Sequence, residues 1–278
     1  MSHRVAVVFW GIARSLRHTI SSIQSNVLQP LRSAGHRVSV CVHTYTSNKV
    51  YSNPWAKERP QMMDNTQHKL LNADIEVVED QDLVWEEENL QQLLPEKDPW
   101  DNEFRQYKNF ILAVRSKAAA FRAIQRLEAD VVVFSRPDVT YRKPIEMSWI
   151  ERCAASDHVV LGPCWQLPWG INDRFAICSG KAAELWSASA LEHLKLRKCD
   201  TSEKQLFDCV TKHGAALGTI DVHFWRVRMG GERSKTDERD YQYVLESKRA
   251  RRRHGIGDRL RAATAAIRLH GTVVEITK

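Results

Sequence analysis

The chain has 278 residues, 43% of them hydrophobic and 27% charged, with a formal net charge of +7. That length suits one large α/β domain with a sizeable core, and no stretch approaches the ~20 apolar residues of a membrane-spanning helix. The positive charge is concentrated between Lys248 and Arg261, where seven basic residues meet only Asp258; the near-neutral remainder lacks the basic body of a nucleic-acid-binding domain.

Met1-Ser2-His3-Arg4 runs straight into an apolar segment with no room for a signal peptide, so a reducing, cytoplasmic setting is expected. The six cysteines, at 41, 153, 164, 178, 199 and 209, form no C-x-x-C pair and read as buried thiols. A first strand is predicted over 5–10. It ends in the turn Trp10-Gly11-Ile12-Ala13-Arg14-Ser15 and a helix over about 15–33, which Gly35 stops before a second strand over 37–44. A loop rich in Asn, Pro and Trp covers 47–60, and a short third strand covers 73–78. The acidic stretch 79–103, broken by Pro95 and Pro99, reads as a mobile surface excursion. A long amphipathic helix over 104–127 turns Phe110, Val114, Ala118, Phe121 and Ile124 inward. It feeds a strand over 131–135, then a helix near Ser148 and a strand over 159–162. Such alternation predicts an α/β fold with a Rossmann-type, mostly parallel central sheet and helices on both faces. Residues 1–235 are expected to form the main domain and 236–278 a basic, helical, partly detached C-terminal tail. Leu260, Ala263 and Ile267 share one face of that tail, which could make peripheral contact with an anionic membrane or pack on the body.

The strand over 131–135 ends in Arg136-Pro137-Asp138. Pro137 cannot donate to the sheet ladder, and open α/β sheets bind ligands just outside the carboxyl ends of strands, so Asp138 is a candidate site carboxylate. A solvated strand-end carboxylate would look the same. The first turn lacks both the G-x-G-x-x-G of a dinucleotide fold and the Lys-Ser/Thr pair of a P-loop. It does place Gly11, Arg14 and Ser15 at a helix N-terminus, where free N–H groups and a guanidinium suit a diphosphate; a plain turn with a Ser cap is the alternative. His43 closes the second strand, either to touch a nucleotide or as a local hydrogen-bonding residue. Trp165, Trp169 and Gly170 precede Asp173 in a loop whose aromatic faces could stack on a sugar; Asp173 is, with Glu203, one of two candidate catalytic carboxylates, or a turn residue. Glu203 opens a helix, whose dipole is expected to lower its pKa whether or not it takes part in chemistry. His223, Arg226 and Arg228 share a strand-like segment from which the arginines could reach a diphosphate. No His/Cys cluster has zinc spacing, and no G-x-S-x-G elbow is present.

Together these motifs resemble a family of glycosyltransferase-like proteins found in bacterial surface-polysaccharide loci and in some large viruses. The resemblance spans roughly residues 5–228. It rests on the Gly11-to-Ser15 turn with its helix ending Leu31-Arg32-Ser33-Ala34-Gly35-His36 and the strand into Val42-His43-Thr44-Tyr45, on Arg136-x-Asp138, on Asn172-Asp173-Arg174-Phe175, and on a helix carrying Glu203. It implies a GT-A-type fold and transfer of a sugar from a nucleotide-sugar donor, a UDP- or GDP-sugar, to a glycan or other hydroxyl acceptor, inverting through a carboxylate base. On that footing Gly11, Arg14, Ser15, His43, Arg136 and Asp138 would bind the donor, Glu203 would be the base and Asp173 would hold a sugar. Asp138, with His223 completing the shell, would hold Mn²⁺ or Mg²⁺. Arg136 stands where a D-x-D metal motif has its first carboxylate, so a cation of the chain could itself balance the diphosphate. Replacing Asp138 is expected to abolish turnover and leave the melting temperature within a few degrees. Two other readings remain open: a non-catalytic GT-A-like module of a polysaccharide-assembly complex, favoured by that arginine, and a nucleic-acid-associated protein using the run 248–253.

Overall fold

The computed structural model describes residues 1–53, 58–100, 102–167, 170–196 and 201–253. The first strand, β1 (Arg4–Trp10), is buried along nearly its whole length, as its unbroken apolar run requires. Helix α1 (Leu16–Ile23) passes through a π-helical turn (Gln24–Leu28) into α2 (Gln29–Ser33). Pro30 has no N–H to return to the carbonyl of Asn26, and that carbonyl accepts from the Ile145 N–H at 2.9 Å instead. Then follow β2 (Arg37–Thr46), the hairpin strands β3 (Tyr51–Asn53) and β4 (Glu58–Gln61), β5 (Ile75–Asp80), α3 (Gln81–Glu87) and α4 (Arg105–Ile124). The second half contains β6 (Val131–Ser135), β7 (Val139–Tyr141), α5 (Met147–Ala154), β8 (Val159–Pro163), β9 (Phe175–Ser179), α6 (Ala183–Trp186), α7 (Ala188–Leu196), α8 (Ser202–Lys212), β10 (Ala216–Ile220), β11 (Phe224–Arg226) and α9 (Lys235–Arg253).

The central sheet has seven strands in the order β10-β8-β9-β6-β1-β2-β5. All neighbours are parallel except β9, which runs antiparallel to both β6 and β8. The chain steps outward from β1 to β2 and β5, then returns to the other side of β1 as β6. That reversal makes the carboxyl ends of β1 and β6 a topological switch point, the place where such sheets open a crevice. Reversed β9 brings its amino end to the same rim: Ser135 pairs with Phe175, and the Arg136 N–H donates to the Arg174 carbonyl at 3.2 Å. Beyond the rim β7 and β11 form a small antiparallel sheet that sets Arg226 opposite Val139. Successive residues of β1 feed two cores, Ala6, Val8 and Trp10 with α4 on one face, Val5, Val7 and Phe9 with α1 and α5 on the other.

The expected α/β sheet is present, with its third strand two residues later than predicted. The acidic stretch 79–103 is not an excursion. Asp80 caps α3 by accepting the N–H groups of Asp82 and Leu83, and Leu90, Leu93 and Leu94 are buried against α4. The first turns of α9 are docked on the body through Asp237 and Tyr241, both buried. Residues 254–278, with the face formed by Leu260, Ala263 and Ile267, lie outside the described residues. No helix among the described residues is long and apolar enough to cross a membrane. Cys41, Cys153, Cys178 and Cys209 are buried, free thiols; Cys199 is outside the described residues.

Phe224 ties the small sheet to the core, with ring centroids 5.0 Å from Trp165 and 5.9 Å from Tyr141. Phe224→Ala should lower unfolding stability in urea by about 3–5 kcal/mol, as for a fully buried aromatic. A loss below about 1 kcal/mol would mean that β11 is held by something other than this packing.

Candidate functional site

Gly11 makes the bend after β1 at φ +92°, a left-handed conformation that suits a residue without Cβ. Its N–H donates to Ser116 Oγ at 2.8 Å, and the Ala13 N–H to Thr44 Oγ1 at 3.1 Å. The start of α1 is equally occupied: the Leu16, Arg17 and His18 N–H groups donate to the Ala13 carbonyl, Gln67 Oε1 and the Ser15 carbonyl. The N–H groups of the first helical turn, expected to await a diphosphate, are therefore already engaged within the chain. Ser15 is buried and donates its hydroxyl to the Val227 carbonyl at 2.9 Å. His43 is also buried. Its Nδ1 meets Ser116 Oγ at 2.7 Å and its Nε2 meets Glu79 at 2.5 Å, while Arg115 clamps Glu79 and Glu88. Burial lowers the His43 pKa, against the pull of Glu79. A neutral ring accepting from Ser116 leaves that oxygen free to accept from Gly11. Gly11, Ser15 and His43 thus build the turn, and of the first motif only the Arg14 side chain turns toward the rim.

Arg14 lies between two carboxylates, 3.4 Å from Glu58 and 3.6 Å from Asp138. Asp138 is fully buried and takes Arg136 as a fork, Nε at 2.7 Å and Nη2 at 2.6 Å. Burial alone would raise the Asp138 pKa, but Arg136, Arg14 and Arg226 outweigh it and hold the carboxyl well below the usual range. Arg226 in turn grips Asp237 at 2.7 Å. A divalent ion at Asp138 would compete with Arg136 for both oxygens and enter a ring of guanidinium groups. Among the described residues no group of three or more His, Cys, Asp or Glu side chains is placed to hold a metal. His223 is not near Asp138. It stacks on Tyr241 at 3.4 Å inside an aromatic cluster with Trp165 and Trp225, and burial lowers its pKa to about 4. The register explains this: Arg226, not His223, faces the elbow, since β11 sets Arg226 opposite Val139 and the Val227 N–H on the Asp138 carbonyl at 2.7 Å. Asp138 with His223 does not fit as a metal shell.

Asp173 and Glu203 do come together. Arg174 bridges them, 3.7 Å from Asp173 and 3.8 Å from Glu203, and Asp173 accepts a hydrogen bond from the Ser202 hydroxyl. Gly170 allows this closeness, because a Cβ there would lie 2.2 Å from the Glu203 carbonyl oxygen. The two carboxyls are pushed apart. Burial opposes ionisation of Asp173, yet Arg174, Lys117, Ser202 and Arg136 together lower its pKa. Burial and then repulsion from Asp173 raise that of Glu203, with Arg174 only partly offsetting them. The helix-dipole expectation for Glu203 is thus reversed by its surroundings. Divergent pKa values in a facing pair are the usual arrangement of an acid–base site.

Sequence patterning missed Lys117, which sits on the inner face of α4. It is 1% exposed, and its Nζ has no hydrogen-bond partner among the described residues. It lies 4.8 Å from the centroid of the Trp10 ring and 5.1 Å from that of Trp186. Burial lowers its pKa to about 8, against the attraction of Asp173 and Glu203. A lysine at an inward position of an otherwise apolar helical face was the available signal. Arg174 and Asp237 were also passed over, the first because β9 was not recognised as a strand. Trp165 is not a stacking platform: it is fully buried and donates to the Val222 carbonyl at 2.8 Å. Trp169 lies outside the described residues. Compared with known proteins, the chain matches no family model and no curated protein.

Asp138→Ala strands Arg136 and Arg14 without their shared carboxylate, so stability should fall by about 3–5 kcal/mol rather than hold; an unchanged melting temperature would show that the pair is not desolvated. Lys117 gives a pH signature. The folded chain releases its proton near pH 8 whereas an ordinary lysine holds it to 10.5, so the unfolded state binds more protons between those values and stability rises with pH. Subtracting the stability–pH curve of Lys117→Met from that of the wild type should isolate this rise, a few kcal/mol in all. Parallel curves would place the amine in water.

Proposed function

We propose that the chain is a glycosyltransferase of GT-A type. It moves a sugar from a nucleotide-sugar donor, a UDP- or GDP-sugar, to a glycan or other hydroxyl acceptor. The observation that carries this reading is the pairing of ionised Asp173 with a Glu203 of raised pKa, on the same rim as the arginines of the β1/β6 switch point. A carboxylate whose pKa moves toward neutrality is a better proton acceptor for a hydroxyl. Guanidinium groups held nearby stabilise charge developing on a departing diphosphate. In this reading Glu203 removes the acceptor proton, Asp173 with Arg174 holds a sugar, and Arg14 with Arg136 faces the phosphates. Gly11, Ser15 and His43 fix the turn that carries Arg14. Contact of the basic tail with a membrane surface remains part of the proposal.

The second reading is a non-catalytic GT-A-like module. It draws support from Asp138 itself, whose oxygens are already satisfied inside the chain. Incubation with a panel of UDP- and GDP-sugars, followed for hydrolysis and for transfer to glycan acceptors, separates the two: a module binds without turnover. Glu203→Gln should reduce transfer by about a hundredfold or more with donor affinity intact, and Asp173→Asn should weaken both. The acidic limb of the pH–rate profile should lie above the ordinary glutamate value of 4.5, because Glu203 is raised from it. Wild-type transfer by Glu203→Gln would remove that residue from the chemistry.

A further inference from the structure

Four guanidinium groups, those of Arg14, Arg136, Arg226 and Arg228, converge on the switch point, and three carboxylates answer them. Arg136 holds Asp138 at 2.6 Å, Arg226 holds Asp237 at 2.7 Å, and Arg14 is shared between Glu58 and Asp138. The Arg228 side chain has neither hydrogen bond nor ion pair among the described residues. Yet it is half-buried, and its backbone is fixed: its N–H donates to the Glu232 carbonyl at 2.8 Å, and its carbonyl accepts from Gly231 at 2.9 Å. The charges around it are Arg226 and Arg14, of its own sign, and Glu58 and Asp138, both already engaged. A partly desolvated cation with no anion of its own is costly to keep. An anion arriving from outside removes that cost.

The chemistry of such an anion follows from the groups present. A guanidinium fork matches the paired oxygens of a phosphate, and several cations on one rim favour a phosphate or diphosphate over a single carboxylate. Asp138 cannot bring a metal to this space without giving up Arg136, and the metal's charge would add to four guanidinium charges.

We infer that this rim takes a phosphate-bearing ligand directly on Arg228, with Arg14 and Arg226 beside it, and that this binding needs no divalent ion. Only the ligand's being a nucleoside diphosphate rests on the glycosyl-transfer reading.

Calorimetric titration of the full chain with inorganic pyrophosphate and with UDP and GDP, in EDTA and in Mg²⁺, tests this. Pyrophosphate should bind in EDTA about as tightly as in Mg²⁺. Arg228→Gln should weaken that binding by about tenfold or more, as loss of a charge-assisted fork implies, and Arg228→Lys should keep part of it. Ligand-free Arg228→Gln should melt no lower than the wild type, since it removes an unanswered charge; a large drop would show that Arg228 is a structural residue and overturn the inference. Binding that appears only with Mg²⁺, or equal binding by Arg228→Gln, would overturn it too. Failure of the two proposals is distinguishable. Pyrophosphate binding in EDTA with no sugar transfer from any donor leaves the anion site standing and removes the transferase reading. Transfer that needs a divalent ion does the reverse.

Discussion

Asp138 is the carboxylate on which the rim depends. It is fully buried, and its neighbours are cations: Arg136 in a fork, Arg14 beside it and Arg226 beyond. Like charges brought this close into a low-dielectric space repel strongly, and the repulsion is relieved only where an anion sits among them. Its backbone is held from two sides. The Pro137 carbonyl accepts from Thr19 of α1 at 2.6 Å, and the Asp138 carbonyl accepts from Val227 at 2.7 Å. The elbow's backbone is therefore fixed apart from the ion pairs, and the carboxylate can act as an anchor for the guanidinium groups around it. That Pro137 lacks an N–H is useful here, since the strand must end before the elbow can turn toward α1.

The second half of the rim exists because β9 is reversed. Had it run parallel, its amino end would lie at the opposite end of the strands, and Asp173 and Arg174 would be a strand length away from Arg136. Running antiparallel, it enters the sheet at the rim with Arg174 hydrogen-bonded through its carbonyl to Arg136. Helix α8 is then brought in by backbone contact. The Ile171 N–H meets the Glu203 carbonyl at 3.3 Å, and Gly170 leaves no side chain in between. Thr201 caps that helix by accepting from Lys204, so the residue after Ser202 is placed without using its own side chain.

The parallel half of the fold was legible because its strands are continuous apolar runs separated by helices. Val131 to Ser135 and Val5 to Trp10 need burial on both faces, and no other arrangement supplies it. Phe175 to Ser179 is as apolar, but it follows a turn-rich loop and nothing local reveals its direction; only pairing with β6 does. The leucines at 90, 93 and 94 were hidden by acidic neighbours that face water while they face α4. Of the candidate site residues, Arg14, Arg136, Asp138, Asp173 and Glu203 meet on the rim, since each stands at the end of an element. His43 and His223 do not, because their surroundings are set by α4 and α9, far along the chain. Lys117 was missed although it stands three residues after Val114 on the inward face, and only the rings of Trp10 and Trp186 show how such a charge is tolerated.

The electrostatics of the rim also give Asp173 a part in setting the basicity of Glu203. A lone carboxylate among Arg14, Arg136, Arg174, Arg226, Arg228 and Lys117 would be driven to low pKa, as Asp138 is. Such a group remains ionised but is a poor proton acceptor, because basicity falls with pKa. Glu203 escapes that fate although Arg174 stands 3.8 Å from it. Asp173 is nearer the positive groups in effect: Arg174, Lys117 and Arg136 all act on it, and it takes a hydrogen bond from Ser202 as well. With that charge absorbed, what Glu203 feels most is burial and the negative neighbour, both of which raise it. One carboxylate spends its basicity on the cations so that the other keeps its own. An arginine-rich rim of this kind keeps Asp138 and Asp173 low in pKa among its cations and still leaves Glu203 raised.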